Sequence, residues 1–320
     1  MPAAETNSKP DAGRFIDPRT VMRIKNLQLR ARVVVEGFYA GIHRSPYHGF
    51  SVEFSEYRAY TPGDDPRYLD WRLFARSDRY CIKRFEDETN LLCYLVVDMS
   101  RSMSFAAAAY PKSEYARTLA ASLAYFLFTQ RDAVGLLTFD EQLADYLPPR
   151  HRAGHLRRLF GMLEREPAGR STDLSRPLER IAESVRKRGL VVLISDLLTP
   201  AAEFRTKLGY LRSRGHDVLV LQVLDPAEVD FAFGTPLMFN DLESGRRLYI
   251  DPQAARAEYQ RRFNDHAAEL KQACVDLSVD FARLTTDQPL ELALFDLLHL
   301  RERRGKRIAR RAGPARRATA

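Results

Sequence analysis

The sequence predicts a doubly wound α/β fold with a mostly parallel sheet, and three observations lead there. Two strongly apolar stretches, Leu91–Val97 and Leu190–Ser195, each run into an aspartate, Asp98 and Asp196. Runs that short, Val-containing and bounded by polar residues suit strands buried on both faces. Helix-like segments alternate with further apolar runs at 133–139 and 218–223, the order that builds a parallel sheet covered on both sides. Both aspartates then fall at the carboxyl ends of their strands, where open α/β sheets bind ligands.

Taken in order, residues 1–14 are polar and Pro-containing and are expected to be disordered. From Pro18 to about Phe38, apolar residues recur at helical spacing (Val21, Ile24, Leu27, Val33, Val34), until Gly41 and the segment 43–49 break the pattern. Phe50, Val52 and Phe54 alternate with polar residues and predict a half-buried strand, with a second at Tyr80–Phe85. Residues 15–90 are therefore expected to form an N-terminal helix plus a small β-rich subdomain. The domain from 91 to 300 follows. Its expected helices lie at Ser113–Thr129, at His155–Leu163, around Leu174, Leu178, Ile181 and Val185, and around Phe204, Leu208 and Leu211. Two apolar runs flank a Glu-Ser-Gly turn within 231–250, which predicts a β-hairpin insertion. A long helix from about Pro252 to Cys274, a strand at Val279–Leu284 and a helix at Leu290–Leu300 complete the domain. Pro148-Pro-Arg150-His151-Arg152 reads as a solvated loop.

The formal net charge is +8, with 45% hydrophobic and 29% charged residues. Residues 301–320 hold nine Lys or Arg and one Glu, so the remaining 300 residues balance at 41 basic and 41 acidic. The basic character belongs to the tail, which is expected to be disordered and solubilising; nucleic-acid or anionic-membrane binding through it is the alternative. The longest uncharged stretch, Thr118–Gln130, is 13 residues, short of the ~20 needed to span a bilayer. The N-terminus has no apolar core of the secretory kind, so a cytoplasmic location is expected. Cys81, Cys93 and Cys274 show no metal or redox spacing and read as plain buried thiols.

Asp98-x-Ser100-x-Ser102 places one carboxylate and two hydroxyls on a tight loop after the first strand. These are hard oxygen donors suited to Mg²⁺ or another divalent cation such as Mn²⁺ or Ca²⁺. Alone, the pattern also suits helix capping. Ser171-Thr172-Asp173 follows Gly169 ahead of a helix, and Asp196 ends the other apolar strand, so these oxygens are able to converge at the sheet edge. Asp173 reads better as a helix cap than as a ligand.

In order and strand placement, Asp98, Ser100, Ser102, Thr172 and Asp196 resemble the metal-ion-dependent adhesion site of von Willebrand factor A domains. That resemblance implies Ser100, Ser102 and Thr172 as ligands, Asp98 and Asp196 as inner or outer charge-balancing carboxylates, and an open position for a partner's acidic residue. Upstream, Phe54-Ser-Glu-Tyr-Arg58, Tyr60-x-Pro-Gly-Asp64-Asp65-Pro-Arg67, Leu69-Asp70-Trp71 and Ala75-Arg76 resemble the signature of the domain-of-unknown-function family 58. The resemblance spans roughly residues 18–300, including the Asp-Leu-Glu hairpin and Thr285-x-x-x-Pro289-Leu290. It implies an A-type domain and a partnership with MoxR-type AAA+ ATPases. Asp64, Asp65 and Arg67 read first as a hydrogen-bonded turn and, alternatively, as a partner-binding loop.

The chain has no Gly-x-Ser-x-Gly elbow, no phosphate-binding Gly-x-x-x-x-Gly-Lys loop and no Asp-x-Asp pair at Asp98. A non-enzymatic, metal-dependent interaction module, acting as an adaptor or co-chaperone, is therefore the first expectation. A metal-assisted hydrolase at the same ion is the alternative; it requires a general base beside the metal.

Overall fold

A computed structural model describes residues 15–44, 56–59, 74, 76, 80–84, 91–107, 109–140, 143–165, 188–242 and 245–298. They fall into two compact units, divided after Gly41 and before Leu91.

The larger unit is built on a six-stranded sheet. Its strands are β3 (Leu92–Asp98), β4 (Ala133–Phe139), β5 (Leu143–Arg150), β6 (Leu190–Ser195), β7 (Asp217–Leu224) and β10 (Asp280–Thr285), in the order β10-β7-β6-β3-β4-β5. All neighbours are parallel except β5, which runs antiparallel to β4. β4 lies on one side of β3 and β6 on the other, so the winding direction reverses at β3. Such a reversal opens a crevice at the strand carboxyl ends.

The faces of the sheet follow from the two-residue period of a strand. Tyr94 and Val96 of β3, with Val191 and Leu193 of β6, pack with Phe204, Leu208 and Leu211 of α5 (Ala201–Ser213) and with Leu270 and Cys274 of α7 (Pro252–Asp276). α3 (Lys112–Thr129) is buried along most of its length because it is covered from outside as well. Phe38 of α2 (Leu27–Arg44) meets Phe126 of α3 edge-on at 5.5 Å and Phe295 of α8 (291–298) at 4.7 Å. Arg30 of α2 pairs with Glu114 of α3 at 2.5 Å, and the Ile16 N–H reaches Glu291 Oε1 at 3.2 Å.

These contacts correct the expected grouping of residues 15–90. α2 as far as Gly41 belongs with the sheet, because its apolar face closes over α3. The N-terminal helix is also two helices, α1 (Pro18–Met22) and α2. The side chain of Asn26 accepts the Leu29 N–H at 2.8 Å and so starts a new helix. α2 then runs through Gly41 to Arg44, past the expected break.

The segment 148–150 is not a loop but the end of β5. A proline is tolerated there because β5 is the sheet edge and its outer side needs no ladder hydrogen bond. Irregular register between β4 and β5 brings the β5 backbone very close to Gly135. A Cβ there would stand 2.8 Å from both the Leu147 oxygen and the Pro149 nitrogen, so glycine is required.

The remaining elements fall close to expectation. They include α4 (His155–Leu163) and the hairpin of β8 (Leu237–Asn240) and β9 (Arg247–Ile250); a short α6 (Pro226–Asp230) is an addition to the expected elements. Cys93 and Cys274 are both buried, and burial pushes the Cys274 thiol up to about 12.

In the smaller unit, β1 (Glu56–Ala59) pairs antiparallel with β2 (Cys81–Arg84), and Phe74 stacks on Tyr80 at 4.4 Å. The strand expected at Phe50–Phe54, the helix around Leu174–Val185 and both expected disordered ends lie outside the described residues. Among the described residues, no helix is long and apolar enough to cross a membrane.

Candidate metal centre at the carboxyl edge of the sheet

β3 and β6 are paired so that Val97 stands opposite Ile194. The next residue on each strand, Asp98 and Ser195, is therefore brought side by side at the carboxyl edge. Ser195 Oγ donates to Asp98 Oδ2 at 2.5 Å and accepts the Leu197 N–H at 3.0 Å. Asp98 Oδ1 accepts the Ser100 N–H at 2.9 Å, which bends the chain off the strand. A single 3₁₀ turn, Arg101–Ser104, follows and turns Ser102 back, so that its Oγ lies 3.0 Å from that of Ser100. Asp196 arrives from the neighbouring strand, its carbonyl held by Gln222 Nε2 at 3.1 Å.

Asp98, Ser100 and Asp196 are fully buried, and Ser102 is 7% exposed. Burial, followed by the negative charge of Asp196, pushes the Asp98 carboxyl up to about 7, against the hydrogen bonds from Ser195 and Ser100 that favour its ionised form.

Asp196 has a partner of its own. Lys112 Nζ donates to Asp196 Oδ2 at 2.9 Å and to Glu228 Oε1 at 2.6 Å. Burial works against the Lys112 ammonium, but Asp196 and Glu228 outweigh it and raise its pKa. Burial raises the Glu228 carboxyl, opposed by Lys112. Removing one member of a buried ion pair costs about 3–5 kcal/mol. Glu228 is fixed by a capping box at the start of α6: its Oε2 accepts the Asp225 N–H at 2.8 Å, and Asp225 Oδ1 accepts the Ala227 N–H at 2.8 Å. Asp225 Oδ2 also accepts the Ala107 N–H at 3.0 Å, tying α6 to the segment that follows the serine turn.

Four of the five expected ligands, Asp98, Ser100, Ser102 and Asp196, are thus placed at one sheet edge. Thr172 lies outside the described residues, as do Asp64, Asp65 and Arg67. Three site residues escaped the sequence reading. In the sequence Ser195 is only the end of an apolar run. Lys112 sits one residue before the expected helix start. Glu228 lies in the unanticipated α6, although Asp225-Pro-x-Glu228 carries the spacing of a capping box.

The set offers two hydroxyl oxygens and two carboxylates, the hard oxygen donors that a divalent cation takes.

Residues 56–269 match the family described as "Protein of unknown function DUF58". The chain belongs to the DUF58 family. Relatives of this DUF58 chain include the uncharacterized protein Rv1480 of Mycobacterium tuberculosis, 30% identical over 281 residues that cover 86% of this chain and 88% of the relative. The uncharacterized protein Mb1516 of Mycobacterium bovis matches to the same extent. Similar solved structures include the conserved hypothetical protein BatB of Bacteroides thetaiotaomicron, at 15% identity and a TM-score of 0.45, covering 66% of this chain and 98% of that one. The VWA domain of SpRpn10 follows at 9% identity and a TM-score of 0.39, covering 63% and 92%. The α/β class of the DUF58 chain is read from its own strand order.

Proposed function

We propose that the chain is a non-enzymatic interaction module that uses a divalent ion, Mg²⁺ in the first instance, at the β3–β6 edge to hold an acidic residue of a partner protein. The observation that supports this reading is the convergence of Asp98, Ser100, Ser102 and Asp196 where the sheet reverses its winding. A bound ion would supply positive charge and an open position for an incoming carboxylate. The chain's residues set the stage for it. Ser195 and the Ser100 N–H orient Asp98. Ser100 and Ser102 offer neutral oxygens, which leave positive charge uncancelled for the partner. Ser102, the most exposed of the four, is where the partner carboxylate enters. Thr172 completes the ligand set by resemblance to A-type domains.

The same resemblance makes a MoxR-type AAA+ ATPase in the cytoplasm the partner, with the chain acting as an adaptor or co-chaperone and the Asp64–Arg67 loop adding to the contact. Pull-down of a purified MoxR-type ATPase on the immobilised chain tests this. Retention in Mg²⁺ and loss in chelator are expected. Equal retention in both rejects the ion bridge, and no retention in either rejects the partner.

A further inference from the structure

We propose that Lys112 is a resident cation of this centre, which competes with a divalent ion for Asp196 and thereby sets how tightly the ion is held. The inference rests on the metal reading above. The Lys112 ammonium is fully buried and shared between Asp196, at 2.9 Å, and Glu228, at 2.6 Å. It is the first residue of α3, where the positive end of the helix disfavours a cation. The position is therefore held by the two carboxylates rather than by the helix. Among the described residues, the other oxygen of Asp196 has only a long contact, 3.4 Å, from the Leu198 N–H. Lys112 is thus the strong partner of this carboxylate, and any ion drawing on Asp196 must share it with an ammonium.

The charges make the competition quantitative. Asp98, Asp196 and Glu228 bring three negative charges when ionised, and Lys112 brings one positive charge. The cluster then carries the charge that one divalent ion neutralises. Lys112→Met removes a like charge from the ion's neighbourhood and frees an Asp196 oxygen. Glu228→Gln does the reverse: it removes a negative charge and leaves Asp196 as the only carboxylate paired with Lys112 among the described residues. Lys112→Arg keeps the charge.

Titration with Mn²⁺, with free ion followed by electron paramagnetic resonance, reads the affinity of the wild type and the three variants. Lys112→Met is expected to bind about tenfold tighter or more, Glu228→Gln about tenfold weaker, and Lys112→Arg close to the wild type, since removing a charge a few ångströms away in a buried site is worth at least that factor. A purely structural lysine predicts weaker or unchanged binding in Lys112→Met, and that result overturns the inference. Should Lys112→Met not fold, Glu228→Gln decides: binding equal to the wild type or tighter overturns it. If the wild type binds Mn²⁺ and Lys112→Met binds equally well, the lysine inference falls and the metal reading stands. If only Lys112→Met binds, the lysine inference stands and the ion-bridged partner falls. If none of the chains binds, both fall.

Discussion

Ser195 Oγ donates to Asp98 Oδ2 across the carboxyl ends of two neighbouring parallel strands. This contact joins the two strands whose aspartates frame the candidate centre, and it lies just beyond the last residue pair of their ladder. A hydroxyl at this point keeps a buried carboxylate oriented without adding charge.

Ser195→Ala leaves Asp98 buried with one donor fewer. Because hydrogen bonds to a charged group contribute about 1.5–3 kcal/mol, a loss of that size is expected in urea unfolding of the metal-free protein at a pH above the raised Asp98 value of about 7, where the carboxyl is ionised. A loss below about 0.5 kcal/mol, the scatter of neutral surface changes, shows the contact to be dispensable.

Phe38 is fully buried between Phe126 and Phe295. Phe38→Ala is expected to cost about 3–5 kcal/mol, as deletion of a buried aromatic side chain does. Thermal unfolding checks this. A change within the surface range would mean that α2 is not part of the core.

His155 is buried, and its Nε2 bonds the Val134 carbonyl at 2.7 Å. Burial depresses its pKa, assisted by Arg152, Arg150 and Arg158 and opposed by the Val134 carbonyl. The unfolded chain therefore takes up a proton before the native state does. The resulting stability is present above the ordinary value of 6.5 and is lost as pH falls through the depressed native value. His155→Gln removes this slope. Urea midpoints measured from about pH 8 to about pH 5, the range in which a histidine changes charge, are expected to fall more steeply in the wild type than in the variant. Parallel profiles contradict the assignment.

The sheet was legible because its strands are apolar on both faces and end in charge. β4 and α4 were found at their observed bounds, and Asp98 and Asp196 were placed at the correct edge. β5 was not legible, since its two prolines and two basic neighbours carry loop chemistry and only an edge position tolerates them. The split between α1 and α2 depends on one capping side chain, Asn26, inside an otherwise helical pattern. At the centre, oxygen donors after a strand are visible as a motif. Lys112 is not, because a lysine in a sequence reads as solvated, and only the meeting of three distant elements buries it against Asp196 and Glu228.

Calorimetric titration of Mg²⁺ into the wild-type chain and into Asp98→Asn, with Asp98→Ala alongside, tests the metal centre most directly. The wild type is expected to give a saturable binding heat, and both variants, shown to be folded by their thermal transitions, are expected to lose it. Equal heats in wild type and variants, or no binding heat in the wild type, would contradict a cation site at Asp98.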